Sequence, residues 1–489
     1  MSVAGEIDQV MQKAQVAFLA YKKCSLEERA NFMREIGEEL ANIRADVVPL
    51  SMEEAHLSND RMDGELNRTI YQLNNYAKNA AEGSWLDVRI NKGVPNEDTD
   101  IRKMMVPLGP VVVFGASNFP FAYSTAGGDT ACAFAAGCPV VVKGHPAHIR
   151  TSEMVGNAIQ KAAQKCDMPE HIFQHVSNDS FDAGQELVKH SLTKAVGFTG
   201  SLGGGRALFD LANQRENPIP VFSEMGSVNP VFLMPDKLQE STEDIALMYA
   251  DSITQSVGQF CTNPGLIFGI EGSDLEEFIS TLSEKIKRKL PESMLHDGIA
   301  KAFLEKKKKA LAQQGVEIEA VAEEKEVSGK GMPTIASTTG ELFLKNKTLH
   351  QEVFGPYSLV IKCKDLEQMQ EIIAQLEGQL TSTLMATEKD VADCPEILER
   401  VQEICGRLIM NGVPTGVTVC TAMHHGGPYP ATTDSRFTSV GADGIRRFAR
   451  PLCYQNFSNL LLPDELKNEN PLGIWRKVND VMTKDVITS

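Results

Sequence analysis

The 489-residue chain has no apolar run near the ~20 residues needed to cross a bilayer. Its opening segment, MSVAGEIDQVMQKAQVAFLAYKK, lacks a basic stretch followed by an uninterrupted apolar core, so no secretory signal is expected. Positive charge is scarce: 48 Lys and Arg against 65 Asp and Glu give a formal net charge of -17. That field repels nucleic-acid phosphates and anionic membrane surfaces, so neither is an expected partner. An anionic substrate would need a local basic group to overcome it. None of the ten cysteines forms a CxxC pair, and no cluster has zinc-ligand spacing. No disulfide framework and no metal site are expected, and the chain reads as a reduced, cytoplasmic protein. Internal repeats and long low-complexity segments are absent too.

What is present is an ordinary globular composition, 42% hydrophobic and 23% charged, in a chain too long for one core. Residues 1–82 read as helices, among them Leu26 to Ala45, with Ser25 as its cap. Residues Trp85 to Met105 carry a hairpin signal around the turn Pro95-Asn96-Glu97-Asp98. From Pro107 short β-branched runs such as Val111-Val112-Val113 and Val140-Val141-Val142 alternate with helical stretches, which predicts a parallel sheet covered on both faces. A second α/β series starts near Ser227. The basic run Lys306 to Lys309 reads as a solvated helix face.

Several segments carry chemistry, and each also has a plain reading. Phe198-Thr199-Gly200-Ser201-Leu202-Gly203-Gly204-Gly205 follows a strand and opens a helix, where backbone N–H groups suit a pyrophosphate; it could equally be a tight turn. No Lys-Ser/Thr pair follows, so it is not a P-loop. Lys143 stands just beyond a strand end, as a ribose or phosphate ligand or as an exposed lysine. Glu224, beside Gly226, is a candidate general base or a surface glutamate. Cys261, in Gly258-Gln259-Phe260-Cys261-Thr262-Asn263, is a candidate thiol nucleophile or a buried structural cysteine.

Taken together, Asn118-Phe119-Pro120, Lys143, Phe198-Thr199-Gly200-Ser201 with Gly205, Glu224-Met225-Gly226, Gly258-Gln259-Phe260-Cys261 and Glu352-Val353-Phe354-Gly355-Pro356 resemble the aldehyde dehydrogenase superfamily over nearly the whole chain. The resemblance implies a Rossmann-type cofactor domain, an α/β catalytic domain and a small β oligomerisation element. The expected division is 1–84 and 107–226 for cofactor binding, 227–430 for catalysis, 431–470 as a return segment packing on both, and 85–106 with 471–489 as the oligomerisation element. A homodimer or dimer of dimers follows from that element.

The resemblance further implies that Cys261 attacks an aldehyde, that Asn118 holds the oxyanion and that Glu224 activates water. Gly200, Ser201, Gly205, Lys143, Glu352 and Phe354 would hold NAD or NADP. The leaning is to NADP, since Pro146 stands where a ribose-binding glutamate occurs in many NAD-preferring members. The block His424-His425-Gly426-Gly427-Pro428 through Gly441 is similar to the group that oxidises 2-oxoglutarate semialdehyde and to a related fatty aldehyde dehydrogenase. A carboxylate on the substrate calls for an arginine or amide cluster at the tunnel mouth, with Arg436 the candidate. Phe121, Tyr123 and Phe260 are the expected tunnel residues. A broader aliphatic aldehyde dehydrogenase, or a catalytically silent binding or structural relative, are the other readings.

Overall fold

Apolar residues at helical spacing fold the first part of the chain into four helices, Val3–Tyr21, Leu26–Asn42, Arg44–Ala55 and Asn59–Glu82. This computed structural model describes residues 2–325 and 327–488. Ser25 starts the second helix in a capping box: Glu28 N–H donates to its Oγ at 3.2 Å, and Ser25 N–H donates to the Glu28 carboxylate at 2.7 Å. Leu26, Ala30, Met33, Ile36 and Leu40 form its buried stripe. That helix stops at Asn42, short of the expected Ala45, because Ile43 leaves helical dihedrals and a new helix starts at Arg44. No described helix is long and apolar enough to cross a membrane.

Five parallel strands then form one sheet, in the spatial order Phe173–Val176, Val140–Lys143, Val111–Phe114, Ala195–Thr199, Val221–Glu224. Alternation along a strand sends successive side chains to opposite faces. Val111 and Val113 therefore enter the core beneath the second to fourth helices, while Val112 enters a separate core with Ile7 and Met11 of the first. The order reverses beside the strand Val111–Phe114, and such a switch point opens a crevice at the strands' carboxyl ends.

A second sheet has seven strands, in the order Glu317–Val321, Thr334–Thr339, Tyr357–Cys363, Leu266–Ile270, Val231–Leu233, Gln379–Met385, Cys405–Met410. All neighbours are parallel except the first pair, and apolar cores lie on both faces. The fold is α/β, with one parallel and one mostly parallel sheet whose adjoining segments together line the site described below.

A third sheet of five strands orders Ala449–Gln455, Asp100–Pro107, Arg89–Lys92, Arg476–Val478 and Val481–Thr483. The expected hairpin is present between Arg89–Lys92 and Asp100–Pro107, but Trp85 and Leu86 form a buried helical turn ahead of it. The strand Ala449–Gln455 falls inside the span expected to return onto the larger domains. It pairs along its whole length with Asp100–Pro107 instead, from Ala449 opposite Pro107 to Gln455 opposite Ile101. Its alternation, with Leu452 and Tyr454 on one side and exposed residues on the other, suits a sheet with one covered face.

Candidate active site

Cys261 sits in a loop of unusual backbone. Ser256, Val257 and Gly258 are consecutive left-handed residues, at φ 47°, 59° and 63°. Only the glycine adopts this readily; for the other two it costs about 1–3 kcal/mol each. Anchors from the second sheet hold the loop: Asn229 Nδ2 donates to the carbonyls of Cys261 and Asn263, both at 2.9 Å. Gly258 needs to be glycine for contact as well, since a Cβ there would lie 2.5 Å from the Gly355 carbonyl carbon. That close approach brings the Glu352–Pro356 segment against the nucleophile loop.

Glu224 ends the last strand of the first sheet, where its backbone bridges to Thr432 and Met225 N–H donates to the Ala431 carbonyl. Its carboxylate is buried and doubly held. Ser439 Oγ donates to Oε2 at 2.6 Å, and Oε1 lies 3.0 Å from His425 Nε2. The same Nε2 lies 3.6 Å from Cys261 Sγ, and the three groups bring polar atoms within 4.8 Å of one another. His425 Nδ1 is buried without a partner, so the ring carries its proton on Nε2, donating towards the carboxylate. A metal on Nε2 would drive that proton to the partnerless Nδ1, which disfavours the trio as a metal centre.

The charges are complementary. Burial first, then the Glu224 charge, push the Cys261 thiol well above its ordinary range, while Arg407 and Arg68 pull the other way. Burial raises the Glu224 carboxyl, but the electrostatic and hydrogen-bond contact with His425, with the Ser439 hydrogen bond, outweighs it and leaves it below its usual value. The resting site thus holds a thiol beside an ionised carboxylate. Asn118 Nδ2 donates to the Gln259 carbonyl at 3.1 Å, which places its amide beside the nucleophile loop. The Cys261 backbone N–H has no acceptor among the described residues.

A cleft of about 440 Å³ runs from this point along the carboxyl ends of the first sheet. Asn118, Gly200, Ser201, Glu224, Cys261, Glu352 and Phe354 all line it. Ser201 caps the helix Leu202–Asn213, accepting from Gly204 N–H at 3.2 Å, and an added Cβ at Gly203 would meet nothing within 4 Å. An open, glycine-lined helix N-terminus in a cleft fits the pyrophosphate of a dinucleotide. Burial raises the Glu352 carboxyl, with Lys306 opposing. Lys306, Lys308 and Lys309 are exposed, as expected of a solvated helix face, while Lys307 is buried and Lys306 also borders the cleft.

Other expected residues are placed differently. Gly205 lies under Met225, where a Cβ would come 2.6 Å from Met225 Cγ; it seats the helix on the sheet and does not line the cleft. Lys143 stands at its strand end as expected, with Nζ turned back to the Gly144 carbonyl at 3.2 Å; His145 lines the cleft there. On the opposite side of Cys261, Tyr123 and Phe260 join Phe119, Val419 and Val440 in an apolar cluster, but Phe121 points into the core beneath the helices. Arg436 is exposed and paired with Asp434 two residues away, and takes no part in the cleft.

Two other arginines, Arg68 and Arg407, act on the Cys261 thiol by charge, and Arg68 donates to Tyr123 Oη of the apolar cluster at 3.2 Å. Nothing local marks them: Arg68 is one polar position in an amphipathic helix. His425 stood in a quoted motif without a role, and its place in a glycine-flanked pair was the available signal.

A half-buried thiol beside a buried carboxylate, at the junction of a dinucleotide-type sheet and a second α/β layer, defines a cysteine-dependent, nucleotide-linked enzyme. The chain belongs to the aldehyde dehydrogenase family, whose model matches residues 2–432, and its activity is NAD(P)-dependent aldehyde oxidation. It is 42% identical to the alpha-ketoglutaric semialdehyde dehydrogenase of Acinetobacter baylyi, over 98% of this chain and 92% of that one. It is also 42% identical to alpha-ketoglutaric semialdehyde dehydrogenase 2 of Azospirillum brasilense, over 97% and 91%. Among solved structures, the fold matches glyceraldehyde-3-phosphate dehydrogenase GapN from Methanocaldococcus jannaschii, complexed with NADP, at TM-score 0.78, with 18% identity over 92% of this chain and 94% of that one.

Proposed function

We propose that the chain oxidises 2-oxoglutarate semialdehyde to 2-oxoglutarate. The contact of Cys261, Glu224 and His425 at the head of the cleft carries the chemical part of that reading. The similarity to the two semialdehyde dehydrogenases supports the substrate.

In this reading Glu224 accepts the Cys261 proton as the aldehyde carbon arrives, so sulfur attacks as thiolate. The Asn118 amide and the Cys261 backbone N–H hold the resulting oxyanion, each contributing about 3 kcal/mol. A nicotinamide dinucleotide bound in the cleft supplies the acceptor for the hydride, leaving the acyl group on sulfur as a thioester. Glu224 passes that first proton to solvent, then takes one from water as the water oxygen attacks the acyl carbon, and returns it to the departing Cys261 sulfur, which restores the thiol. His425 and Ser439 hold the two carboxylate oxygens, so the base stays oriented through these proton transfers.

The cofactor reading leans to NADP. Among the described residues, the carboxylates lining the cleft are Glu224 and Glu352, and the segment after Lys143 offers His145 and Pro146 with no acid to repel a 2′-phosphate. For assembly, we infer a dimer through the small sheet, whose edge strand Val481–Thr483 leaves Val481 and Met482 exposed; sedimentation at several concentrations should return at least twice the 53.5 kDa chain mass.

The deciding experiment compares kcat/KM for the semialdehyde and for pentanal, with NADP and NAD, alongside Cys261→Ala. Preference for the semialdehyde and loss of at least about a thousandfold in the variant support the reading. A wild-type preference for pentanal would overturn the substrate.

A further inference from the structure

Arg68 and Arg407 lie in parts of the chain far apart in sequence, one in the helix Asn59–Glu82 and one in the strand Cys405–Met410. Their guanidiniums converge on one short loop. Arg407 donates to the carbonyls of Gly416 at 3.0 Å and Pro414 at 2.7 Å. Arg68 donates to the next carbonyl, Val417, at 3.4 Å and to Tyr123 Oη at 3.2 Å.

Neither has a carboxylate partner among the described residues, in a chain where acids outnumber bases. Nearby Arg61 differs: it pairs with Glu65 at 2.7 Å. Buried Arg102 and Arg447 likewise pair with Asp100 and Asp129. Arg215 has no carboxylate either, but it is satisfied by three backbone carbonyls. Arg68 uses one nitrogen for two long contacts, and Arg407 Nε is buried with no acceptor at all. Both are half-buried, and shielding a cation even partly from water without a counter-charge costs free energy. A ligand carrying the missing anion would remove that cost.

The groups between these cations and Cys261 suit the middle of such a ligand. Phe119, Tyr123, Phe260, Val417 and Val419 belong to one apolar cluster, which Arg68 touches at Tyr123 and Val417 and which reaches the thiol loop at Phe260. An aldehyde carbon at Sγ, methylenes against the rings and a carboxylate at the guanidiniums describe an ω-aldehyde acid. Carbonyls of the loop Pro414–Val417 hold both arginines in place meanwhile, as stand-ins for carboxylate oxygens.

We propose that Arg68 and Arg407 together form the receptor for the substrate carboxylate remote from the aldehyde, with Tyr123 Oη beside it. The proposal rests on the semialdehyde reading above for the identity of that substrate. The receptor chemistry itself requires only a short aldehyde ending in a carboxylate.

The test measures kcat/KM for 2-oxoglutarate semialdehyde and pentanal in wild type, Arg68→Met, Arg407→Met and the two Arg→Lys variants. A second arm measures how far glutarate slows alkylation of Cys261 by iodoacetamide. We expect each methionine variant to lower the semialdehyde-to-pentanal ratio by at least about tenfold, mainly through KM. Lysine should restore part of the ratio, and glutarate protection should weaken in the methionine variants. A ratio unchanged in both methionine variants, or equal losses on the two aldehydes with glutarate protection intact, overturns the receptor. If wild type shows no preference for the semialdehyde yet glutarate protects it through these arginines, the substrate reading falls and the receptor stands.

Discussion

The two walls of the cleft are built by different means. The wall proposed to face the cofactor is made of short contiguous segments, Phe198–Gly204 and Glu352–Phe354, which present glycines, a helix N-terminus and a single carboxylate. The wall proposed to face the aldehyde is assembled from single side chains, Arg68, Tyr123, Phe260, Arg407, His425 and Ser439, drawn from helix, loop and strand. The first wall is a property of local chain geometry, whereas the second exists only after both sheets have come together. Glu224 and Cys261 stand at the seam.

Variants at the seam should have the largest effect. Glu224→Gln should slow thioester hydrolysis by about a hundredfold or more while leaving a pre-steady-state burst of reduced nucleotide. Normal turnover without a burst would contradict its role.

On the aldehyde wall, His425→Gln should lower kcat by about tenfold and move the acid limb of its pH profile upward. The sign follows from Glu224, which works as a carboxylate and is held below its usual range partly by His425. Weakening that hold raises its pKa, so activity is lost at a higher pH as the medium is acidified. An unchanged acid limb would separate His425 from the carboxylate.

On the cofactor wall, Glu352→Gln should raise KM for the dinucleotide by about tenfold and leave the relative rates of different aldehydes alone. If Glu352→Gln altered aldehyde preference as much as His425→Gln, the two walls would not be independent. The smallest effect is expected at Ser201→Ala, which removes a helix cap and should cost about 1 kcal/mol in urea unfolding with little change in aldehyde preference.

The same contrast explains what could be read from the chain. Glycine turns, β-branched runs and caps are local, so both parallel sheets, the capping box at Ser25 and the cleft-lining Gly200, Ser201 and Glu352 follow from residues near one another in sequence. Phe121 was misplaced because aromatic neighbours two positions apart in a compact turn can enter different cores, as Phe121 and Tyr123 do. Arg436 satisfied the demand for a cation but sits beside Asp434, which neutralises it on the surface. Arg68 and Arg407 were illegible, since their significance lies in the counter-ion each lacks, and no window of sequence displays a missing partner. The strand Ala449–Gln455 was assigned elsewhere for a related reason: its partner, Asp100–Pro107, lies in the first quarter of the chain.

That pairing bears on when the protein can be finished. Asp100–Pro107 and Arg89–Lys92 emerge early in synthesis, yet their neighbours Ala449–Gln455 and Arg476–Val478 come near its end. Through most of translation the early hairpin must wait with both edges open, a state that invites pairing with other chains. Any subunit contact made through this sheet is therefore a late event, available only to chains whose last strands have been released.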